Sequence, residues 1–491
     1  MKKQFLIIAM FPLICFSQNE IDALRYSTTF FSGTARYNAM AGAFGALGGD
    51  VSTLSTNPAG IGIYRSSEFV FTPQFSNNMS SASYQNLTTN DINFKMNFAN
   101  VGFVATHNNG KEEGWITTSF GLAYNKLADF NNYTKIEGIN NSSSMTDYFA
   151  ALANGKKYGN LDYFREGLAW DAYIIIIDPA NPDTTSYKSA FSKYGLKQSK
   201  SISRKGSIGE YVIALGGNYS NKLYMGGTVG IQTVRYVENS FYEEKDVNDS
   251  IPNFNNFEYK NDLKTTGSGF NFKFGMIFRP VDMVRIGIAI HSPTFYNLHD
   301  EYSSSIKSSY SDALHGDGSI NKSPEGAYDY QLTSPFKAIG SIGLVFGKVG
   351  LLGVEYEFVD YTTARLRAND YFFGSENNSI ETEYTQTGNI KIGGEIKYGA
   401  LSFRAGYGLY GSPYRAGHIN ENAITSSYNA GFGIKSNDFY FDMAFNYTTS
   451  SEKYFLYDPY VINIPSVDVN NSNIKVLATF GFKFWFFFHI V

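Results

Sequence analysis

Residues 269–279 read GFNFKFGMIFR, and this alternation limits the fold more than any other feature of the chain. Phe270, Phe272, Phe274, Met276 and Phe278 fall on one face; Asn271, Lys273, Gly275 and Arg279 mostly fill the other. That is the period of an extended strand. The chain turns at Pro280-Val281-Asp282 and returns as VRIGIAIH, where Val284, Ile286, Ile288 and Ile290 alternate with Arg285, Gly287, Ala289 and His291. A hairpin with one wholly apolar face has two homes. It packs on the core of a soluble sandwich, or it faces lipid on one side and a lumen on the other. Segments of about ten residues suit a tilted strand crossing a bilayer, and a soluble sandwich with so many outward aromatics would aggregate.

The same pattern recurs in segments centred on Phe71, Phe98, Phe120, Ile213, Val229, Phe274, Ile288, Ile342, Val354, Ile392, Phe403, Phe432, Phe441 and Phe480. The even count of about fourteen matches single-chain barrels, as do connections that alternate between short and long. The short ones are read at Asn218 to Lys222, Pro280 to Asp282, Gly347 to Val349, Gly399 to Ala400 and Ser436 to Asp438. Aromatics reach 17%, with 47 glycines, yet mean hydropathy is only -0.23. Alternating lipid-facing and lumen-facing residues cancel in such an average. No stretch beyond the N-terminus has the run of apolar residues a membrane helix needs. The predicted fold is all-β: a transmembrane antiparallel β-barrel of about 14 strands over residues 67–491, with an N-terminal plug segment, 18–66, inside it.

Three stretches break the strand rhythm. Residues 1–17 have the charged start, apolar run and small final residue of a secretory leader. Ile14 before Cys15 argues against lipidation, and the only cysteine would leave with the leader, along with any disulfide or thiolate chemistry. Residues 18–66 contain GTARYNAMAGAFGALGGDVSTLSTNPAGIGIY, too poor in bulky side chains to build a core of their own. Something larger must enclose them. Residues 130–205, with a possible helical part within 144–177, and residues 297–327, rich in Ser, Asp and Gly, read as long outer loops. The net charge of -4 comes with no basic run, so no nucleic-acid partner is expected.

Few motifs nominate chemistry. Gly406 to Gly411 satisfy GxGxxG but lie inside an alternating strand, where glycine relieves crowding; a dinucleotide loop needs a strand-to-helix turn. The six histidines lack metal-ligand spacing, although His291 and His299 could approach one another near a loop. Glu355 and Glu357 share a face and either line a polar lumen or bind a cation or a loop; Arg285 and Arg404 would pair with such carboxylates or with the plug. No catalytic, cofactor or metal residue is expected. In Asn57-Pro58-Ala59-Gly60 proline fixes its own φ and asparagine favours turns, giving a rigid corner after a pliable stretch.

The leader, AGAFGALGGDVSTLSTNPAGIG, the hairpin GFNFKFGMIFRP…VRIGIAIHSP and FRAGYGLYGSPY together resemble the FadL/TodX family of outer-membrane transporters. The likeness covers essentially the whole mature chain. It implies a fourteen-stranded barrel in the bacterial outer membrane, closed by an N-terminal hatch in which Asn57, Pro58, Ala59 and Gly60 form the gating motif. It also implies passive uptake of long-chain fatty acids or other hydrophobic compounds, by outer-loop capture, an internal pocket, hatch movement and lateral exit. The exit would be made by a kinked third strand near Trp115 to Tyr124. Expected partners are a hydrophobic small molecule, outer-membrane lipid and the barrel assembly machinery, with no cofactor and a monomeric state. Two alternatives remain open: an outer-membrane receptor for haem or another ligand, and a lipid hydrolase. The tail WFFFHIV after Phe484 departs from the family habit of ending on an aromatic residue.

Overall fold

The computed structural model describes residues 19–181, 183–191, 194–312 and 320–484. The leader, Cys15 and the tail beyond Phe484 lie outside them. The segment that precedes the barrel carries two helices, α1 (Glu20–Ser27) and α2 (Ala35–Ala39), and two short 3-10 turns, Val51–Ser55 and Pro58–Ile63. Fourteen antiparallel strands then close on themselves. The first seven are β1 (Ser67–Tyr84), β2 (Leu87–Asn108), β3 (Trp115–Asp129), β4 (Leu196–Tyr219), β5 (Leu223–Lys245), β6 (Phe254–Val281) and β7 (Val284–His291). The rest are β8 (Lys337–Phe346), β9 (Gly350–Asp360), β10 (Gln386–Tyr398), β11 (Leu401–Tyr410), β12 (Thr425–Lys435), β13 (Phe439–Tyr454) and β14 (Val467–Phe484). β14 pairs back onto β1, with Phe71 opposite Phe480. Each centre read from the sequence falls in its own strand, and the short connections fall where the sequence placed them.

The barrel is a core turned inside out. Phe270, Phe272, Phe274 and Phe278 of β6 are half exposed on its outer surface, as are Ile286, Ile288 and Ile290 of β7. They face one another across the ladder, Ile286 opposite Phe278 and Ile290 opposite Phe274. The alternate residues Asn271, Lys273 and Gly275 point inward. A closed sheet with apolar residues outward and polar ones inward is suited to a lipid surround. No helix among the described residues is long and apolar enough to cross a membrane.

Above this band the sheet continues where loops were expected. Phe295–Tyr310 resumes β7 after Ser292-Pro293-Thr294 and pairs with β6 as far as Phe254; Gly326–Thr333 precedes β8 and pairs with it in turn. Much of the expected 297–327 loop is therefore strand. Likewise Asn132–Asn140 pairs with Leu196–Arg204 of β4, and the connection proper spans 141–195. The reason is solvation. The outer face here carries polar residues such as Asn297, Glu301 and Lys307 while Tyr296, Leu298 and Ile306 stay buried on the inner one, and runs such as Ser303-Ser304-Ser305 still bond their backbones.

Residues 141–195 fold as a cap. Ser144 and Asp147 form a capping box at the start of α3 (Met145–Ala153), followed by α4 (Glu166–Asp171) and the hairpin Ile175–Ile177 with Tyr187–Ser189. Phe149, Leu168 and Ile174 bury themselves against Tyr242, Phe257 and Ile306 from the strand tips and Leu456 and Ile464 from the last outer loop. A second apolar cluster joins Tyr26 of α1 to Tyr236, Tyr296, Leu332 and Phe373, and to Ile380 of α5 (Gly374–Glu383).

Candidate functional site

The N-terminal segment folds on polar contacts of its own. The Thr34 hydroxyl donates to Asp50 Oδ2 at 2.7 Å and the Thr34 N–H to Ser52 Oγ at 2.8 Å. The Gly49 N–H reaches the Gly60 carbonyl at 3.0 Å, with Gly48 and Gly49 both at positive φ (59° and 67°), which glycine adopts without strain. Asn57 is wholly buried and caps the second 3-10 turn, its Oδ1 accepting from the Ala59 N–H at 3.1 Å. Its Nδ2 donates to the Gly45 carbonyl at 2.6 Å and, more weakly, to Met276 O of β6 at 3.4 Å. Pro58 supplies the first residue of the turn, where its missing N–H costs nothing. The Gly60 N–H closes the corner onto Asn57 O at 3.0 Å.

The segment lies against the inward faces of strands on both sides of the barrel, and glycines make room for it. Gly216, Gly226 and Gly275 are cross-strand neighbours on β4, β5 and β6. A Cβ at Gly226 would overlap the Pro58 carbonyl, and one at Gly275 would overlap Asn57 Oδ1. A second row, Gly343, Gly353, Gly393 and Gly406, runs across β8 to β11 beneath Met40, Ala43 and Leu47. Gly406 of the GxGxxG match is thus a wall residue, and no nucleotide loop exists there. These rows were missed in the sequence. The available signal was glycine recurring at inward positions of strands that face each other across short turns.

Polar side chains of the wall then grip the segment. Glu355 Oε2 accepts from the Gly45 N–H at 2.9 Å, and its Oε1 from Lys391 at 3.0 Å. Arg285 donates to the Leu47 carbonyl at 2.6 Å, His291 Nε2 to Thr56 O at 2.6 Å and Thr228 to Leu54 O at 3.0 Å. Arg36 of α2 bonds Glu395 at 2.9 Å, which also receives Arg404; Arg404 continues to Asp442, both at 2.6 Å. Glu355 and Arg285 therefore hold the N-terminal segment. Glu357 instead receives Asn389 at 2.8 Å, and Arg404 pairs with wall carboxylates. His291 and His299 each take other partners, His299 bonding Asp329 at 2.7 Å. Among the described residues no group of three His, Cys, Asp or Glu could hold a metal ion.

One stretch of wall is incomplete. β2 pairs with β1 from Leu87 to Val104, but with β3 only from Asn100 to Asn108. β3 is irregular between Trp115 and Thr117 and again between Lys126 and Ala128. It stops at Asp129. The chain resumes at Asn132, displaced toward the lumen, where Asn132 bonds Asn471 of β14 at 3.3 Å and Thr134 meets Ser80 of β1 at 2.9 Å. The register thus shifts once within the 115–124 stretch expected from the sequence and again near Leu127, before the strand ends. Lys126 to Asp129, Asn131 and Asn132 line a cavity of about 230 Å³. Phe30, Phe31, Leu127 and Tyr410 form its apolar side; Asn, Ser and Thr side chains from β1 and β12 to β14 form the other.

No protein-family model matches the chain, and no curated protein sequence matches it. Solved structures do. A Pseudomonas aeruginosa FadL homologue superposes with a TM-score of 0.58 at 12% identity, covering 93% of this chain and 100% of its own. The Pseudomonas putida toluene transporter TodX gives 0.53 at 10% identity over 93% and 100%. The Ralstonia pickettii toluene transporter TbuX gives 0.50 at 11% identity over 92% and 99%. At these identities the likeness establishes a shared fold over nearly the whole chain.

Proposed function

We propose that the chain is a member of the FadL/TodX family, a bacterial outer-membrane channel for passive uptake of hydrophobic small molecules. The observation that carries this reading is a small-residue segment seated on glycine rows inside a closed barrel, beside a cavity and an interrupted wall. Ligands are captured at the outer loops and pass to the cavity between Phe30, Phe31 and the β3 break. Residues 18–66 act as a hatch whose corner, Asn57-Pro58-Ala59-Gly60, shifts to clear the way. The ligand leaves sideways between β2 and β3, where β2 above Asn100 has a strand partner on one side only. The fold neighbours TodX and TbuX are toluene transporters, and long-chain fatty acids are the first substrates to test.

The physics needs no energy source. Each CH₂ removed from water contributes about 0.8 kcal/mol, so an alkyl chain gains by leaving water for an apolar contact. The hatch is held by hydrogen bonds worth roughly 0.5–1.5 kcal/mol net each, and water or ligand replaces them singly. The chain works as a monomer among outer-membrane lipids, placed there by the barrel assembly machinery, and catalyses no reaction. A haem receptor or lipid hydrolase gains no support from His291, His299 and His418, which bond Thr56, Asp329 and Asn420.

The test is uptake of a labelled fatty acid, and separately of toluene, by cells carrying the wild type or the double variant Pro58→Ala, Ala59→Pro. Slower uptake at equal folded protein in the membrane is expected. Equal uptake of both compounds would remove the gating role of the corner.

A further inference from the structure

The outer wall changes character where β4, β5, β6 and the continuation of β7 rise out of the apolar band. Tyr211, Ile231, Phe270 and Phe295 are successive cross-strand partners and stand exposed, the last two 5.4 Å apart between ring centroids. Two residues further up lies the neutral polar row Thr233, Ser268, Asn297 and Gln331. The next row is Ser207, Arg235, Thr266, His299 and Asp329. Above it Lys205 and Lys264 flank Val237. Aromatic residues at the edge of an apolar band mark the level of lipid head groups, so these rows stand among them.

A groove of about 430 Å³ opens on this face, lined by Thr266, Ser268, Asn297, His299, Asp329 and Gln331. The acids beside it are taken: Asp329 bonds His299 at 2.7 Å and Glu301 bonds Lys264 at 2.8 Å. Lys205 and Arg235 are exposed, and neither side chain has a hydrogen-bond or ion-pair partner among the described residues. They are diagonal neighbours on adjacent strands, close enough for long side chains to reach one ligand. Elsewhere the rim is different. Above Tyr428, Tyr447 and Ile474 on β12 to β14 come Ser426, Thr449 and Ser472, then Ser451 and Asn470. Lys453, higher on β13, sits 3.8 Å from Asp468.

We propose that this face holds a lipid of the outer leaflet whose head group carries a phosphomonoester. The phosphate lies between Lys205 and Arg235, the head-group hydroxyls meet Ser268, Asn297 and Gln331 in the groove, and the acyl chains run down Ile231, Phe270 and Phe295. A phosphomonoester brings nearly two negative charges and three acceptor oxygens, which an arginine fork and a lysine ammonium match together. A choline head brings its own cation and meets repulsion from both. The inference rests on the reading of the barrel as an outer-membrane protein, and not on what it transports.

The test is native mass spectrometry of the full-length protein released from detergent micelles, titrated with lipid A (a phosphorylated acyl disaccharide), its dephosphorylated form and phosphatidylcholine. Lipid A should be retained about tenfold more tightly than either of the others. Lys205→Met combined with Arg235→Met should weaken lipid A about ten- to a hundredfold, the range of lost charge-assisted bonds, and leave the other two lipids unchanged. Lys205→Arg should bind as wild type, and so should Lys453→Met on β13. Retarded migration of unheated protein in gels confirms that each variant is folded. A lipid A affinity that ignores the double variant, or that equals the affinity of the dephosphorylated form, would overturn the site. Displacement of lipid A by millimolar inorganic phosphate would overturn the lipid as its occupant. Binding in micelles involves no transport, so loss of this pattern leaves the uptake channel standing, and failed uptake leaves the lipid site standing.

Discussion

The cap over the barrel and the segment inside it are held by different balances of apolar and polar contact. In the cap, Phe149 is fully buried and meets Tyr259 edge-on, 5.3 Å between ring centroids at 89°, within a cluster of aliphatic and aromatic side chains. The inner segment lays backbone and small side chains on glycine, buries Val51, Leu54 and Ile61 against Val70, Val104 and Val212, and is also gripped by Glu355, Arg285, His291 and Thr228 through single hydrogen bonds and by the Arg36–Glu395 ion pair. Apolar area is lost only when a whole face withdraws. Hydrogen bonds exchange with water one at a time at small net change. The same barrel thus carries a cap held mainly by a large apolar cluster and an insert whose smaller apolar contacts share the load with polar ones.

The largest expected effect breaks the cap alone. Phe149→Ala should cost about 3–5 kcal/mol of local stability, seen as faster amide exchange in α3 and new protease cleavage near residues 154–165. Exchange within residues 45–63 should stay unchanged. If it rises equally, the two regions are one unit and the contrast fails. The next variant breaks the segment alone. In Gly275→Val the new side chain overlaps Asn57 Oδ1, a crowding that costs about 1–3 kcal/mol and should expose residues 45–63 to exchange. The control is Gly340→Val on β8, where a Cβ meets nothing within 4 Å. It should behave as wild type.

How far the sequence reveals these regions depends on the solvent each strand meets. Lipid demands an apolar residue at every second position, so Phe270 to Phe278 announce a strand. Phe295–Tyr310 beyond it keeps a buried inner face but sets polar residues on the outer one and a run of serines in its middle, and its strand shows in its pairing with β6. Asn57-Pro58 is legible as a corner because proline's φ is a local fact. Its seat is not, because Gly226 and Gly275 lie more than 150 residues away and meet it only when the barrel closes. The cavity is harder still. Gln74 and Lys475 stand at opposite ends of the chain and become neighbours through the β1–β14 seam, where Phe75 faces Val476.

A third variant sharpens the contrast by removing bonds without adding bulk. Asn57→Ala deletes the cap on Ala59 and the bond to Gly45, and should cost about 1 kcal/mol, within the usual range for a lost helix cap. Exchange at Ala59 and Gly60 should rise several-fold while α3 stays protected. No change at Ala59 would mean that the glycine seat alone fixes the corner.

The smallest effect tests whether charge matters to the cap at all. Burial pushes the Asp147 carboxyl above its ordinary value, against the opposing Ser144 N–H. A raised acid binds its proton more tightly in the folded state, so its contribution is full below the unfolded value of 3.8 and is lost as pH rises through the folded one. Protection of α3, corrected for intrinsic exchange, should therefore increase slightly on acidification through the carboxylate range, by well under 1 kcal/mol for so partial a burial. In Asp147→Asn that slope should vanish. A wild-type cap that loosens in acid would show that the capping box, and with it the ionised carboxylate, outweighs burial, and that the cap too depends on a polar grip like the one inside the barrel.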